Sequence, residues 1–299
     1  MNHRESTVIR MFFPKTTGKT FQKRPIIRYK DPHSGIVIFL LITLGLSSIF
    51  YFLIISSGTI YAFEMFYVLA WMWCPGAAAL TTTILLNRNL TRLGWSWGGT
   101  RYQLLSYALP LAYSSLVYLG VWFSGLGRFA GLLDLEFLRH LFFSATIGVI
   151  VSSVSALGEE IGWRGFLVPE LAKVTTFTKT SLISGVIWAS WHYPLILFAD
   201  YRGGTTSWYE LSCFTLMIVG VSFPLAWLRL KSNSVWTAVL LHASHNLYVQ
   251  GVFDPLTEDT GLTKYLAGEF GAALAAIAIP VAYIFWMKRF ELPESLVES

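Results

Sequence analysis

The sequence predicts an all-α, polytopic membrane helix bundle with about eight transmembrane helices and both termini in the cytoplasm. Three observations carry this. The 299-residue chain is 54% hydrophobic and 13% charged, against roughly 25% charged residues in a soluble domain. Its apolar residues gather in runs of about 20, the length of a membrane-spanning helix. Its cations lie almost entirely on one side of those runs.

Residues 1–34 form a polar, basic tail with no signal-peptide pattern. Spans follow at roughly 35–57, 60–86, 103–124, 140–170, 178–199, 207–228, 233–252 and 265–287, within a transmembrane domain over 35–290. A short acidic tail, 291–299, closes the chain. Eight spans put both termini on one side. That side holds the eight Lys and Arg of the basic tail, with Arg88, Arg92, Arg101, Lys173, Lys179, Arg229, Lys231, Lys288 and Arg289. The other side holds only Arg128, Arg139, Arg202 and Lys264. The positive-inside rule therefore assigns the termini to the cytoplasm. The same asymmetry accounts for the net charge of +5 without a nucleic-acid partner. Cys74 and Cys213 lie in apolar runs and form no metal-type cluster, so they read as small core residues.

Ionisable residues inside a span face protein or a water-filled cavity and mark function. Span four carries Glu159, Glu160 and Arg164, span five His192, and span seven His242 and His245. Glu269 falls at the outer start of span eight, where interfacial solvation suffices. Glu159, His192 and His242 each lie 11 to 14 residues from a cation that flanks their own span. At 1.5 Å per residue that is roughly 16–21 Å, so three helices bring polar groups to one depth.

Helix faces then divide the roles. Glu160 and Arg164 are four residues apart and pair, while Glu159 points about 100° away. An unpaired carboxylate in a low-dielectric site suits a general base. His192 shares a face with Trp188 and is placed to position an attacking water, with Trp188 reading as packing. His242 and Asn246 share a face as side-by-side donors for an oxyanion. His245 reads as packing or a helix–helix hydrogen bond. Glu160, Arg164 and Trp188 are supporting residues.

Taken in order, "EEIGWR" at 159–164, "WASWH" at 188–192 and "HASHN" at 242–246 resemble the CPBP family of intramembrane proteases. That family includes the type II CAAX prenyl proteases and the bacterial Abi proteins. Its pattern is EExxxR, FxxxH and HxxxN on separate helices of an eight-helix bundle. Trp188 replaces the usual Phe, a change that bears on pocket shape more than on chemistry. The resemblance covers about 140–250. It implies a catalytic glutamate at Glu159, a water-positioning histidine at His192 and oxyanion-side residues at His242 and Asn246. It further implies an endopeptidase acting near the C-terminus of a membrane-associated peptide or prenylated protein substrate. No HExxH, GxSG or GxGD motif of other intramembrane protease chemistries is present.

Glu159, His192 and His242 also make a His₂Glu set, the ligand type of catalytic zinc. A metal held by all three requires a different general base, so no metal is the favoured reading. Two other classes stay open: a proton-coupled transporter, although no inverted repeat is found, and a catalytically idle membrane scaffold or immunity protein. The expected location is the cytoplasmic membrane of a bacterium or archaeon, or the endoplasmic reticulum of a eukaryote. The lipid bilayer is the remaining partner, and no nucleic acid is expected.

Overall fold

The structure is a computed structural model that describes residues 31–57, 64–131 and 134–297. Most of the expected basic tail, residues 1–30, and the last two residues of the acidic tail lie outside them. The described residues form eight main helices. These are α1 (Pro32–Ser57), α2 (Glu64–Leu85), α3 (Thr100–Phe123), α4 (Leu135–Leu171), α5 (Phe177–Phe198), α6 (Ser207–Ser232), α7 (Val235–Asn246) and α8 (Ala272–Met287).

Seven helices among the described residues are long and apolar enough to cross a membrane, one fewer than expected. The missing span is 233–252, which exists as α7 continued by a π-helical stretch, Leu247–Phe253. α7 packs against α3, α4 and α6, so its surface meets protein on three sides. A helix shielded in this way does not need an apolar exterior, and its His, Ser and Asn residues lower its hydropathy. The last span also starts later than expected. Gly268 takes a left-handed conformation (φ 75°) and α8 begins only at Ala272. Residues 265–271 are therefore mostly a connecting segment, and Glu269 belongs to it.

Local chemistry sets where the site-bearing helices start. Thr176 caps α5 by accepting from the Lys179 amide. Ser234 caps α7 by accepting from the Trp236 amide, one residue after Asn233 ends α6 in the left-handed region. α6 and α7 thus form a tight hairpin that fixes the depth of His242. Small residues let α4 press onto α2. A Cβ at Gly158 would stand 2.7 Å from Trp73 Cγ, and one at Gly162 would stand 2.4 Å from Pro75 Cβ. α4 is interrupted by two π-helical stretches, Ser144–Gly148 and Ile161–Leu167, the second beginning directly after Glu160.

The helices pack in the order α1 on α2, α2 on α4, α4 on α7, α7 on α6, and α6 on both α5 and α8. Their shared core is rich in aromatic rings, with Trp71 and Trp191 stacked at 3.7 Å between centroids. The connecting segments sort into the two groups that the charge pattern requires. At one end Arg88 meets Glu170 at 3.0 Å and Arg229 donates to the Arg92 carbonyl at 3.1 Å. At the other end β1 (Arg128–Phe129) pairs antiparallel with β2 (Thr257–Glu258). The free cysteines Cys74 and Cys213 are buried, as expected of core residues.

Candidate active site

A cavity of about 810 Å³ lies within the bundle. Glu159 from α4, Trp188 and His192 from α5, and His242, His245 and Asn246 from α7 all line it. Every side chain singled out for the chemistry therefore reaches one space. Glu160 and Arg164 do not line it; both are fully buried behind it.

Glu159 is 1% exposed, and its Oε2 accepts a hydrogen bond from Trp188 Nε1 at 2.7 Å. This corrects the reading of Trp188 as packing alone. An indole supplies an N–H that a phenylalanine does not, and the donor satisfies one buried carboxylate oxygen. The departure from Phe was the available signal, and its meaning depended on the contact between α4 and α5.

Arg164 Nη1 donates to Glu160 Oε1 at 2.9 Å, the pairing expected from their spacing. Arg164 also donates to Ser222 Oγ of α6 at 3.3 Å and stacks its guanidinium over the Trp188 ring at 4.0 Å. His242 Nδ1 lies 2.9 Å from the same Glu160 oxygen. A carboxylate accepts only, so Nδ1 carries the proton and Nε2 is left for the cavity. Glu160 is thus a junction between Arg164 and His242, and not only half of an ion pair. Sequence reasoning missed this link because it joins residues 82 apart on different helices.

His192 Nδ1 lies 2.9 Å from the Trp188 carbonyl, which also only accepts. The proton again sits on Nδ1, and the neutral ring keeps a lone pair on Nε2. Trp71 packs edge-on against this imidazole at 5.3 Å and limits its rotation. Asn246 sits where α7 passes into its π-helical continuation, just as Glu160 sits where a π-helical stretch begins in α4. Such stretches recur at functional sites because they redirect side chains at a helix's own expense in hydrogen bonding.

His245 makes the helix–helix hydrogen bond that was one of its two expected roles, and a second bond to the segment before α8. Its Nδ1 meets the Tyr113 hydroxyl of α3 and its Nε2 lies 3.2 Å from Glu269 Oε1. Glu269 corrects a second expectation. It is 7% exposed, lines the same cavity, and accepts from the Tyr201 hydroxyl at 2.7 Å. Protein groups, not interfacial water, satisfy this carboxylate, because the segment before α8 folds inward.

The zinc reading needs Glu159, His192 and His242 to close on one point. Each retains one atom for a ligand bond, since Trp188 and Glu160 occupy the others. Among the described residues, no three His, Cys, Asp or Glu side chains gather as a metal-holding group. No reaction step is derived through a metal.

Comparison with known proteins gives two matches. Residues 141–248 match the family model for Rce1-like type II CAAX prenyl endopeptidases. Over 140 residues the chain is 30% identical to the CAAX prenyl protease 2 of Methanococcus maripaludis. That alignment covers 45% of this chain and 50% of the relative, so the chain spans about half the length of the curated protein it matches.

Proposed function

We propose, from the Rce1-like family match over residues 141–248, which hold all three motifs, and from the similarity to a CAAX prenyl protease, that this chain is an intramembrane endopeptidase of the CPBP family. The observation that carries the reading is the convergence of Glu159, His192, His242 and Asn246, from three helices, on one cavity. Its substrate is a membrane-associated peptide, prenylated or not, cut near its C-terminus. The cation-rich end of the bundle faces the cytoplasm.

Glu159 spends one oxygen on the Trp188 N–H, and the other takes a proton from water. His192 presents its Nε2 lone pair to that water and holds it in line with the scissile carbonyl. The water oxygen bonds to the carbonyl carbon, the carbonyl electron pair moves onto oxygen, and Glu159 holds the released proton. The Asn246 amide and His242 Nε2 donate to the oxyanion. To donate there, His242 carries a proton on each ring nitrogen, with the Glu160 carboxylate as its counter-charge and Arg164 holding that carboxylate. Collapse of the intermediate breaks the C–N bond, and Glu159 returns its proton to the leaving nitrogen. Walls of low dielectric strengthen each of these interactions.

Purified protein incubated with a farnesylated CAAX peptide and a panel of unprenylated transmembrane peptides tests the reading. The wild type is expected to cleave at least one. Glu159→Gln is expected to lower kcat by about 100-fold or more, the usual contribution of a general base. Cleavage that survives this substitution defeats the mechanism, and a wild type that cleaves nothing defeats the function. Exhaustive chelation is expected to leave the rate unchanged. Activity that chelation abolishes and zinc restores overturns the metal-free mechanism.

A further inference from the structure

A separate cavity of about 540 Å³ lies at the cation-rich end of the bundle and shares no residue with the active-site cavity. Arg88, Arg92, Lys173 and Arg229 line it, and Glu170 is the one carboxylate in its wall among the described residues. That carboxylate is already shared. One oxygen meets Arg88 at 3.0 Å and the other pairs with Lys173. Among the described residues, no carboxylate forms an ion pair with Arg92 or Arg229. The cavity is therefore strongly positive, and two of its guanidinium groups are without a counter-charge.

Arg229 is only 2% exposed, although it stands in the cavity wall. Its Nη1 donates to Asn233 Oδ1 and its Nη2 to the Arg92 carbonyl, each at 3.1 Å, and both acceptors are neutral. Its Nε is buried with no hydrogen-bond partner among the described residues. Gly94 holds the group in place. It takes a left-handed conformation (φ 88°), and a Cβ there would stand 2.8 Å from Arg229 Cζ, so backbone lies directly on the guanidinium. A buried cation without a counter-charge is costly. The cavity beside it is where an anion would offset that cost. Depth names the kind of anion. Trp95 and Trp97, which follow Arg92 in the same connecting segment, are 37% and 57% exposed. Tryptophan gathers at the headgroup level of a membrane, the level of the lipid phosphates.

We propose that this cavity is a binding site for an anionic phosphate group, carried by a phospholipid headgroup of the adjoining leaflet or by a free phosphate, with Arg92 and Arg229 as its recognition pair. A guanidinium matches phosphate oxygens in geometry and is weakly hydrated, so it gives up water for them readily. Basic pockets between membrane helices hold anionic headgroups in this way. Thr91 adds a hydroxyl to the same wall. A zwitterionic headgroup brings its own cation toward four others and is disfavoured. The site stands apart from the protease reading, since it involves none of the residues assigned to the chemistry.

Binding to the full-length protein in detergent tests it without any turnover. Native mass spectrometry counts bound lipid as phosphatidylglycerol or phosphatidylcholine is titrated in. The wild type is expected to take up one phosphatidylglycerol saturably and to prefer it over phosphatidylcholine. Arg92→Gln and Arg229→Gln are each expected to weaken that binding by roughly tenfold or more, the loss of a charge-assisted hydrogen bond. Arg92 is exposed, so its variant decides the matter if Arg229→Gln fails to fold. Lys179→Gln removes an exposed cation from the same end that does not line the cavity, and is expected to bind as the wild type does. A second arm follows thermal unfolding in inorganic phosphate against chloride at equal ionic strength. Phosphate that raises the unfolding temperature of the wild type more than that of Arg92→Gln, with no saturable lipid uptake, assigns the site to a free phosphate. Neither ligand binding saturably overturns the proposal. So does a loss in Lys179→Gln equal to that in Arg92→Gln, which is the mark of unspecific attraction to a basic surface.

Discussion

Trp188 differs from a phenylalanine by a second fused ring and by an N–H that meets Glu159 at 2.7 Å. Trp188→Phe keeps an aromatic ring against His242 and Arg164 and removes that donor together with the second ring. A buried acceptor left without its partner is worth about 1–3 kcal/mol. We expect kcat to fall roughly tenfold, because the base loses the hydrogen bond that holds it. An unchanged kcat would show that the hydrogen bond is dispensable. Glu160 is a different case, since two buried cationic or donor groups depend on it. Glu160→Gln leaves the Arg164 guanidinium without a counter-charge, and breaking a buried pair from one side costs about 3–5 kcal/mol. Thermal unfolding in detergent is expected to report a large loss for this variant. The double variant Glu160→Leu, Arg164→Met is expected to unfold at a higher temperature than Glu160→Gln while remaining inactive. A double variant less stable than the single one contradicts the ion-pair account.

Between elements, the position of Glu159 depends on how closely α4 approaches α2. Gly158 and Gly162 allow that approach, and Trp73 Nε1 donates to the Val154 carbonyl at 3.1 Å beside them. Gly162→Ala puts a methyl group where Pro75 already sits. Overpacking of this kind costs about 1–3 kcal/mol, and shifting α4 displaces the carboxylate from its water. Both a lower unfolding temperature and a lower kcat are expected. Gly45→Ala is the matched control, with no atom within 4 Å of the added carbon. In a mid-helix position it is expected to be neutral or stabilising by up to about 1 kcal/mol. If both substitutions behave alike, the close helix crossing is not what positions the site.

For the molecule as a whole, the two ends differ in charge, and the cation-poor end carries a buried titratable group. Asp254 follows the continuation of α7, and burial pushes its carboxyl up to about 6 against an ordinary 3.8, despite the hydrogen bond from Tyr118. The folded chain therefore holds this proton more tightly than the unfolded one. Its contribution to stability is greatest below pH 3.8 and is lost as pH rises through about 6. The difference amounts to about 3 kcal/mol at neutral pH. Asp254→Asn keeps an acceptor for Tyr118 and cannot ionise. Between pH 4 and 7 it is expected to gain stability relative to the wild type, read as diverging unfolding temperatures in detergent. Parallel curves contradict the burial of Asp254.

The amino-acid sequence by itself determined the helical bundle, the grouping of connecting segments into two ends, and the set of polar residues that meet. Each follows from local rules: runs of about 20 apolar residues, cations beside them, and side chains four apart on one face. Only the tertiary structure decided how those polar residues are wired. The Glu160–His242 and Trp188–Glu159 hydrogen bonds cross between helices, where no periodicity encodes a partner. The same holds for α7, whose hydropathy falls short of a span because its neighbours, not lipid, surround it. It holds again for Glu269, whose burial depends on α8 starting at Ala272 and on Tyr201 and His245 arriving from elsewhere. A sequence specifies which groups are costly to bury. Which groups satisfy them is settled when the helices pack.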